Sequence, residues 1–174
     1  MSFLFANDER GRYPDSWYAA STDLPQPRAA LKGAKRTNVC IIGAGFTGLS
    51  AALHLAQAGM KVTVLDAHRV GFGASGRNGG QVGSGFYQDQ IKLEQTMGAE
   101  AARHLWDMTQ TAKGLVHDLA TAYAPDAGIT AGVAHADFHD SDTEDSHAYA
   151  AYLNDTYNYD QIETLDQSSM AQVI

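Results

Sequence analysis

Through residues 1–36 the apolar and polar positions follow no fixed period, and three of the four prolines, Pro14, Pro25 and Pro27, fall there. Proline fixes φ and removes a backbone donor, so this stretch is expected to be an irregular arm. Tyr13, Trp17 and Tyr18 in "YPDSWYAAS" predict that aromatic rings dock it. The texture then changes. "NVCIIGAG" is apolar, β-rich and without alternation, which predicts a strand buried on both faces with Cys40 as an inert buried thiol. "TGLSAALHLAQAG" carries Leu49, Ala52, Leu53 and Ala56 at helical spacing and stops at Gly59. "KVTVLDA" reads as a second buried strand, so residues 38–67 form a minimal βαβ unit.

Residues 88–122 return to a helical period, with Gly98 dividing the segment. Leu105, Met108, Ala112, Leu115, Val116 and Leu119 make one apolar stripe, expected to face a core. "ITAGVAHADFH" reads as a strand. "SDTEDSHAYAAYLNDTYNY" reads as a helix opened by a capping box, Ser141 with Glu144 three residues on. A last helix begins at Asp166, and the sequence stops inside it on Val173 and Ile174. The expected division is an N-terminal arm at 1–36, a nucleotide-binding domain at 37–128 and the beginning of a substrate domain at 129–174.

Composition narrows the function without naming it. With 44% hydrophobic and 18% charged residues the chain is globular rather than disordered. A net charge of −8 disfavours nucleic acid or an anionic membrane as partner. The start, "MSFLFANDER", is too short in its apolar part for a signal segment, and no apolar run approaches a membrane span. Together with the single Cys40, this predicts a soluble cytoplasmic protein. His135, His139 and His147 lie among acids, but at a strand end their spacing does not converge on a metal, so no metal site is expected. His54 is expected to be packed or on the surface, and His68, His104 and His117 show no partner pattern.

The chemistry lies in Gly43-Ala44-Gly45-Phe46-Thr47-Gly48, a G-x-G-x-x-G between a predicted strand and a predicted helix. Gly43 makes the tight turn, Gly45 lets backbone approach a pyrophosphate, and Gly48 allows close helix–strand packing. The helix N-terminus, with Phe46 and Thr47 in its first turn, supplies N–H groups and a positive dipole end for a diphosphate. Asp66, followed by Ala67, lies eighteen residues beyond Gly48 and is placed to accept hydrogen bonds from an adenosine ribose. Its carboxylate would repel a 2′-phosphate, although nearby Arg69 leaves NADP open. Directly after the second strand comes "GFGASGRNGGQVGSG", with seven glycines in fifteen positions. By composition this is either a flexible linker or backbone shaped to touch a ligand. An extended FAD gives such a loop a purpose that a nicotinamide cofactor does not.

"VCIIGAGFTGLSAALHLAQAGMKVTVLDAHRVGFGASGRNGGQ" resembles the N-terminal segment of the FAD-dependent D-amino-acid-oxidase-like amine oxidoreductases, a family that includes glycine and sarcosine oxidases. "GFGASGRNGGQ" and the upstream "SWYAAS" are most similar to its γ-glutamylputrescine oxidase branch. The resemblance is dense over residues 37–85 and looser beyond. It implies an α/β, Rossmann-like FAD-binding fold, incomplete here, and FAD as cofactor. It also implies oxidation of an amine or amino acid by hydride transfer to the flavin, with dioxygen or another acceptor reoxidising it. Gly73, Ala74, Ser75 and Gly76 are then expected to pass the diphosphate, and Arg77, Asn78, Gly79, Gly80 and Gln81 to face the isoalloxazine or pyrophosphate. No catalytic residue is assigned. Two departures stand out: the family usually has Glu at the position of Asp66, and its members are more than twice as long. As a fragment, the chain is expected to be inactive by itself. A nicotinamide-dependent dehydrogenase and a non-catalytic FAD-binding fragment remain the alternatives.

Overall fold

The computed structural model describes residues 9–173, so the leader reading on Met1–Asp8 and the terminal Ile174 lie outside the described residues. In chain order come α1 (Trp17–Ala20), β1 (Val39–Ile42), α2 (Phe46–Gln57), β2 (Val62–Leu65), α3 (Gln90–Met97), α4 (Ala99–Tyr123), α5 (Asp140–Tyr157) and α6 (Gln167–Val173). A 3₁₀ turn at Ala74–Gly76 lies between β2 and α3. The chain forms two compact units, one ending at Gly80 and the other beginning at Gln81.

In the first unit β1 and β2 pair in parallel, from Val39↔Val62 to Ile42↔Leu65, with α2 as the connection. The predicted βαβ unit is therefore present. Its helix ends where glycine permits: Gly59 takes φ +81°, and Met60 N–H donates to Leu55 O at 3.0 Å, five residues back, closing the last turn. Ile41 points toward α2, since a Cβ at Gly48 would meet Ile41 Cγ2 at 3.2 Å. Its neighbours on the strand point the other way. Ile42 is 79% exposed and Cys40 is exposed, so β1 is not buried on both faces and the thiol is not a core group. Helix α2 covers only one face of the pair, and unbroken hydrophobicity alone cannot reveal a face left uncovered.

The arm is held through its aromatic residues only in part. Tyr13 donates from its hydroxyl to Val70 O at 2.7 Å and lies under the Arg69 guanidinium at 4.7 Å. Trp17 is 78% exposed. The Arg69 guanidinium also donates to Gly11 O and Pro25 O. These contacts engage the cation that a 2′-phosphate would need.

The second unit is helical. Gly98, at φ +87°, separates α3 from α4 at the predicted break. Asp89 caps α3, its Oδ1 accepting from Lys92 N–H at 2.6 Å. The buried centre is Trp106, Leu153 and Tyr157, with Tyr149, Tyr152 and Tyr159 packed around it. Trp106 meets Tyr157 at 5.2 Å and Tyr159 edge-on at 5.1 Å between ring centroids. Gln90, 1% exposed, ties three helices together. Its Nε2 donates to Ala102 O at 2.6 Å and to Tyr157 Oη at 3.0 Å, and its N–H donates to Tyr149 Oη at 2.8 Å.

Three expectations are corrected here. The predicted stripe on α4 is not the buried face: Met108 is 60% exposed, whereas Ala102 and Trp106 are buried. Aromatic packing with α5 outweighs the longer aliphatic stripe. Residues 129–139 form no strand, because no neighbouring strand lies among the described residues to complete their backbone hydrogen bonds. Helix α5 begins at Asp140 rather than after Ser141, with Asp140 and Asp142 in its first turn, where the dipole favours acids. Ser141 Oγ turns to Asp142, so the capping box does not form. At α6, Asp166 Oδ1 accepts from Ser169 N–H at 2.7 Å, as expected of a helix-opening acid.

Tyr157 donates its hydroxyl to Glu94, and this bond, with a second from Tyr152, holds the Glu94 carboxyl below its usual range. Burial and Glu94 push Tyr157 up, and burial likewise raises Tyr152. A lowered carboxyl stabilises fully above the ordinary carboxylate range and loses that contribution as pH falls through its folded value. The raised phenols contribute fully below about pH 10 and lose it as pH rises further. The near-UV melting midpoint of this unit is therefore expected to fall at both extremes. Glu94→Gln should flatten the acid limb; an acid limb unchanged in that variant would refute the role of this contact.

Candidate dinucleotide-binding site

The glycine turn after β1 is built around one peptide pair. Gly43, at φ +103°, turns the chain, and its N–H extends the sheet ladder by donating to Leu65 O at 2.7 Å. Ala44, 4% exposed, then donates its N–H to Asp66 Oδ2 at 2.7 Å and accepts from Gly71 N–H at 2.8 Å. One residue of the first turn thus holds both the acid ending β2 and the start of the second glycine loop. Asp66 Oδ1 also accepts from His68 N–H at 2.7 Å, while Asp66 and Ala67 remain exposed.

Gly45 is the N-cap of α2 and brings no side chain to it. The cap arrives from the second loop: Ser75 Oγ accepts from Phe46 N–H at 3.0 Å. A Cβ added at Gly45 would meet that oxygen at 2.8 Å. Oxygen at this position shows the anion preference of a helix N-terminus, satisfied here by a hydroxyl. Gly48 is required by packing, since its Cβ would stand 2.0 Å from Gly43 O. Phe46 and Thr47 are exposed at the first turn, where backbone rather than side chain is presented.

The second loop repeats the first. Gly71-Phe72-Gly73-Ala74-Ser75-Gly76 is again G-x-G-x-x-G. Gly71 takes φ +68°, and a Cβ on Gly76 would stand 2.2 Å from Gly71 O. The same clash between first and last glycine shapes both turns. Here, however, it opens only the short 3₁₀ turn. Phe72 is buried, stacks on His68 at 3.9 Å and lies under the Arg77 guanidinium at 4.5 Å; Arg77 Nε donates to Phe72 O at 2.8 Å. Asn78 Nδ2 donates to Ala74 O and Ser75 O, and Asn78 Oδ1 accepts from Gly80 N–H at 2.8 Å. Residues 71–80 are thus an organised loop and not a free linker.

Of the residues singled out in the sequence, the structure brings together Gly43, Gly45, Phe46, Gly48, Asp66, Ala74, Ser75 and Asn78. Gly73, Gly79 and Gly80 lie along the same loop and leave open space where a Cβ would be. Gln81 begins the second unit. Sequence reasoning passed over Ala44 and Gly71. The repeated G-x-G-x-x-G spacing was the signal available for Gly71. The exposed His135 bonds through Nε2 to Asp137 Oδ1 at 3.1 Å, and no group of three or more His, Cys, Asp or Glu among the described residues is arranged for a metal.

The profile of the FAD dependent oxidoreductase family matches residues 38–173. The chain belongs to that family. Among curated relatives it is 40% identical over 120 residues to "Gamma-glutamylputrescine oxidoreductase" of Escherichia coli (strain K12), covering 69% of this chain and 28% of the relative. It is 36% identical over 152 residues to "Probable oxidoreductase OrdL" of Rhizobium meliloti (strain 1021), covering 87% and 36%. It is 31% identical over 172 residues to the Haemophilus influenzae protein of the same name (strain ATCC 51907 / DSM 11121 / KW20 / Rd), covering 99% and 39%. The chain thus spans 28–39% of the length of these relatives. No solved structure matches. Family membership implies an α/β Rossmann-like fold and FAD. Among the described residues no helix is long and apolar enough to cross a membrane.

The turns rank the glycines of this site by what each would strike. Gly48→Ala and Gly76→Ala meet backbone carbonyls, and each is expected to cost about 1–3 kcal/mol of unfolding free energy. Gly45→Ala meets only the serine hydroxyl that caps α2 and should cost less than either, at most the roughly 0.5–2 kcal/mol of losing that cap. Ser75→Ala removes the cap and should cost roughly 0.5–2 kcal/mol. Denaturant titrations of the four variants measure this order. Equal losses at Gly45 and Gly48 would contradict it.

Proposed function

We propose that this chain carries the N-terminal part of the flavin site of an FAD-dependent oxidoreductase that oxidises a C–N bond of an amine or amino acid, of the γ-glutamylputrescine type. The observation supporting it most directly is the pairing of two G-x-G-x-x-G turns through Ala44–Gly71 and Ser75–Phe46 at the N-terminus of α2. The residues present fit the cofactor. Gly43, Gly45, Phe46, Thr47 and Gly48 offer uncluttered backbone to a diphosphate, and Asp66 with Ala67 marks its adenosine side. Gly73, Ala74 and Ser75 would pass the diphosphate, and Arg77, Asn78, Gly79 and Gly80 would face the isoalloxazine or pyrophosphate.

Bound flavin would supply the two-electron oxidation, and dioxygen or another acceptor would take the electrons onward. The chain's own residues bind and orient. The α2 dipole and first-turn N–H groups would hold the diphosphate, and Gly45 would allow its close approach. No general base is assigned, since none is needed when the amine arrives neutral. The 37–128 segment is proposed as the flavin-binding part, 129–174 as the beginning of the substrate domain, and 1–36 as an arm. An exposed free thiol at Cys40 favours a reducing, cytoplasmic setting. Turnover is proposed to require the remaining length that the relatives possess.

A nicotinamide-dependent dehydrogenase is the second reading, carried by the first glycine turn and Asp66 alone. Equilibrating the protein with FAD and, separately, with NAD decides between them. FAD is expected to bind with quenched flavin fluorescence and to resist exchange by NAD, and adding γ-glutamylputrescine to the 174-residue chain should leave the flavin oxidised. Gly45→Val should abolish flavin binding, because a branched side chain enters the diphosphate path. Retention of NAD with no flavin uptake would overturn the proposal.

A further inference from the structure

We propose that the N-terminal arm belongs to the nucleotide site: Tyr13 is a positioning residue that fixes the peptide opening the second glycine loop, so that arm docking and flavin binding strengthen each other. The ligand rests on the flavin reading above, whereas the arm's hold on the loop is a property of the protein alone.

The second loop is entered through a turn over Arg69–Phe72, closed by Phe72 N–H donating to Arg69 O at 3.2 Å. Its third residue, Gly71, takes φ +68°, the sign that a type II turn demands at that position. Type I and type II turns differ by reversal of their central peptide, here the one joining Val70 to Gly71. Glycine at the third position leaves both orientations open, so contacts outside the turn must choose between them. Two contacts do so. The carbonyl end of this peptide, Val70 O, accepts from the Tyr13 hydroxyl at 2.7 Å. Its other end, Gly71 N–H, donates to Ala44 O at 2.8 Å. One peptide is thus held by the arm on one side and by the first glycine turn on the other. A carbonyl that accepts a hydrogen bond polarises its peptide and makes the N–H a stronger donor, so the two contacts reinforce each other. The effect reaches the helix that would receive a diphosphate. Gly71 O lies 2.2 Å from the place a Cβ of Gly76 would occupy, so the 3₁₀ turn carrying Ser75 packs against Gly71, and Ser75 Oγ accepts from Phe46 N–H.

The arm is lightly held. Trp17 and every residue from Ser21 to Arg36 are exposed. Beside the Tyr13 hydroxyl, the arm is tied by the Arg69 guanidinium, which lies over the Tyr13 ring at 4.7 Å and donates to Gly11 O at 3.2 Å and to Pro25 O. Gly11 N–H reaches His68 Nδ1 at 3.5 Å. An element with so few buried contacts opens at low cost, and a single hydrogen bond then shifts its population. Linkage is reciprocal: an arm that orders the diphosphate-side loop is itself held down by whatever binds that loop.

Tyr13→Phe tests this on the full chain, since it removes the hydroxyl and keeps a ring beneath Arg69. Without nucleotide, amide exchange at Gly71 is expected to rise by about three- to tenfold, the contribution of one neutral hydrogen bond, while Met60 at the far end of α2 changes by less than about twofold. Unchanged exchange at Gly71 overturns the proposal. So does an equal rise at Gly71 and Met60, which would mark a general loss of stability. The second readout is tryptic cleavage after Arg12, followed by mass spectrometry, because the Arg12–Tyr13 bond is open to protease only when the arm lifts. Saturating FAD is expected to slow this cleavage by roughly three- to tenfold in the wild type and by less than about twofold in Tyr13→Phe, whose affinity for FAD falls in step. Equal protection in the two proteins, or none in either, overturns the coupling. If FAD does not bind the wild type while Gly71 still responds to Tyr13→Phe, the flavin reading fails and the arm's hold on the loop stands.

Discussion

The first unit depends on the double use of one buried peptide neighbour, Ala44. Its N–H and its carbonyl are held from opposite sides, by the acid ending β2 and by the first glycine of the second loop. Neither contact is local in sequence. Each therefore closes a loop whose entropy must be offset by the bond itself and by what the bond aligns. What is aligned is the end of the β1–β2 ladder, the helix N-terminus and the turn that caps it. A two-stranded pair with one covering helix has little apolar burial to fix such details, so hydrogen bonds carry an unusual share of the order here.

Glycine has separate duties at the two turns. Gly43 and Gly71 have positive φ, a conformation that costs other residues energy. Gly48 and Gly76 are instead excluded from having a side chain by the carbonyls of those same first glycines. Conformation sets one glycine and close approach sets the other. The middle glycines, Gly45 and Gly73, differ again: Gly45 faces only a movable hydroxyl and Gly73 faces open space. Backbone left bare in this way is what an approaching diphosphate requires.

The second unit is held by different means. Trp106 and Tyr157 provide the apolar centre, and Gln90 satisfies its polar groups by bonding to backbone and to tyrosine hydroxyls on neighbouring helices. A buried amide so satisfied specifies one packing of the three helices, because any other arrangement leaves its donors unpaired. The tyrosines that ring Trp106 bury their faces while their hydroxyls reach Glu94, Ser84 and Gln90.

Much of this was legible in the order of residues. The strand–glycine–helix–strand series, the break at Gly98 and the helix opening at Asp166 follow from local stereochemistry, which acts within a few residues and needs no partner. The family likewise follows from the dense match over residues 37–85. Tertiary structure alone decided which side of each element is buried. It exposed Cys40 and Ile42 because only one face of the strand pair meets a helix, and it chose Trp106 over Met108 because the aromatic residues of α5 pack there. It left residues 129–139 without strand pairing, since a strand exists only with a neighbour to bond. It also joined Asp66 to Ala44 and Ser75 to Phe46. Those contacts span 22 and 29 residues, and no periodicity or spacing announces a bond that forms only when distant backbone is brought within 3 Å.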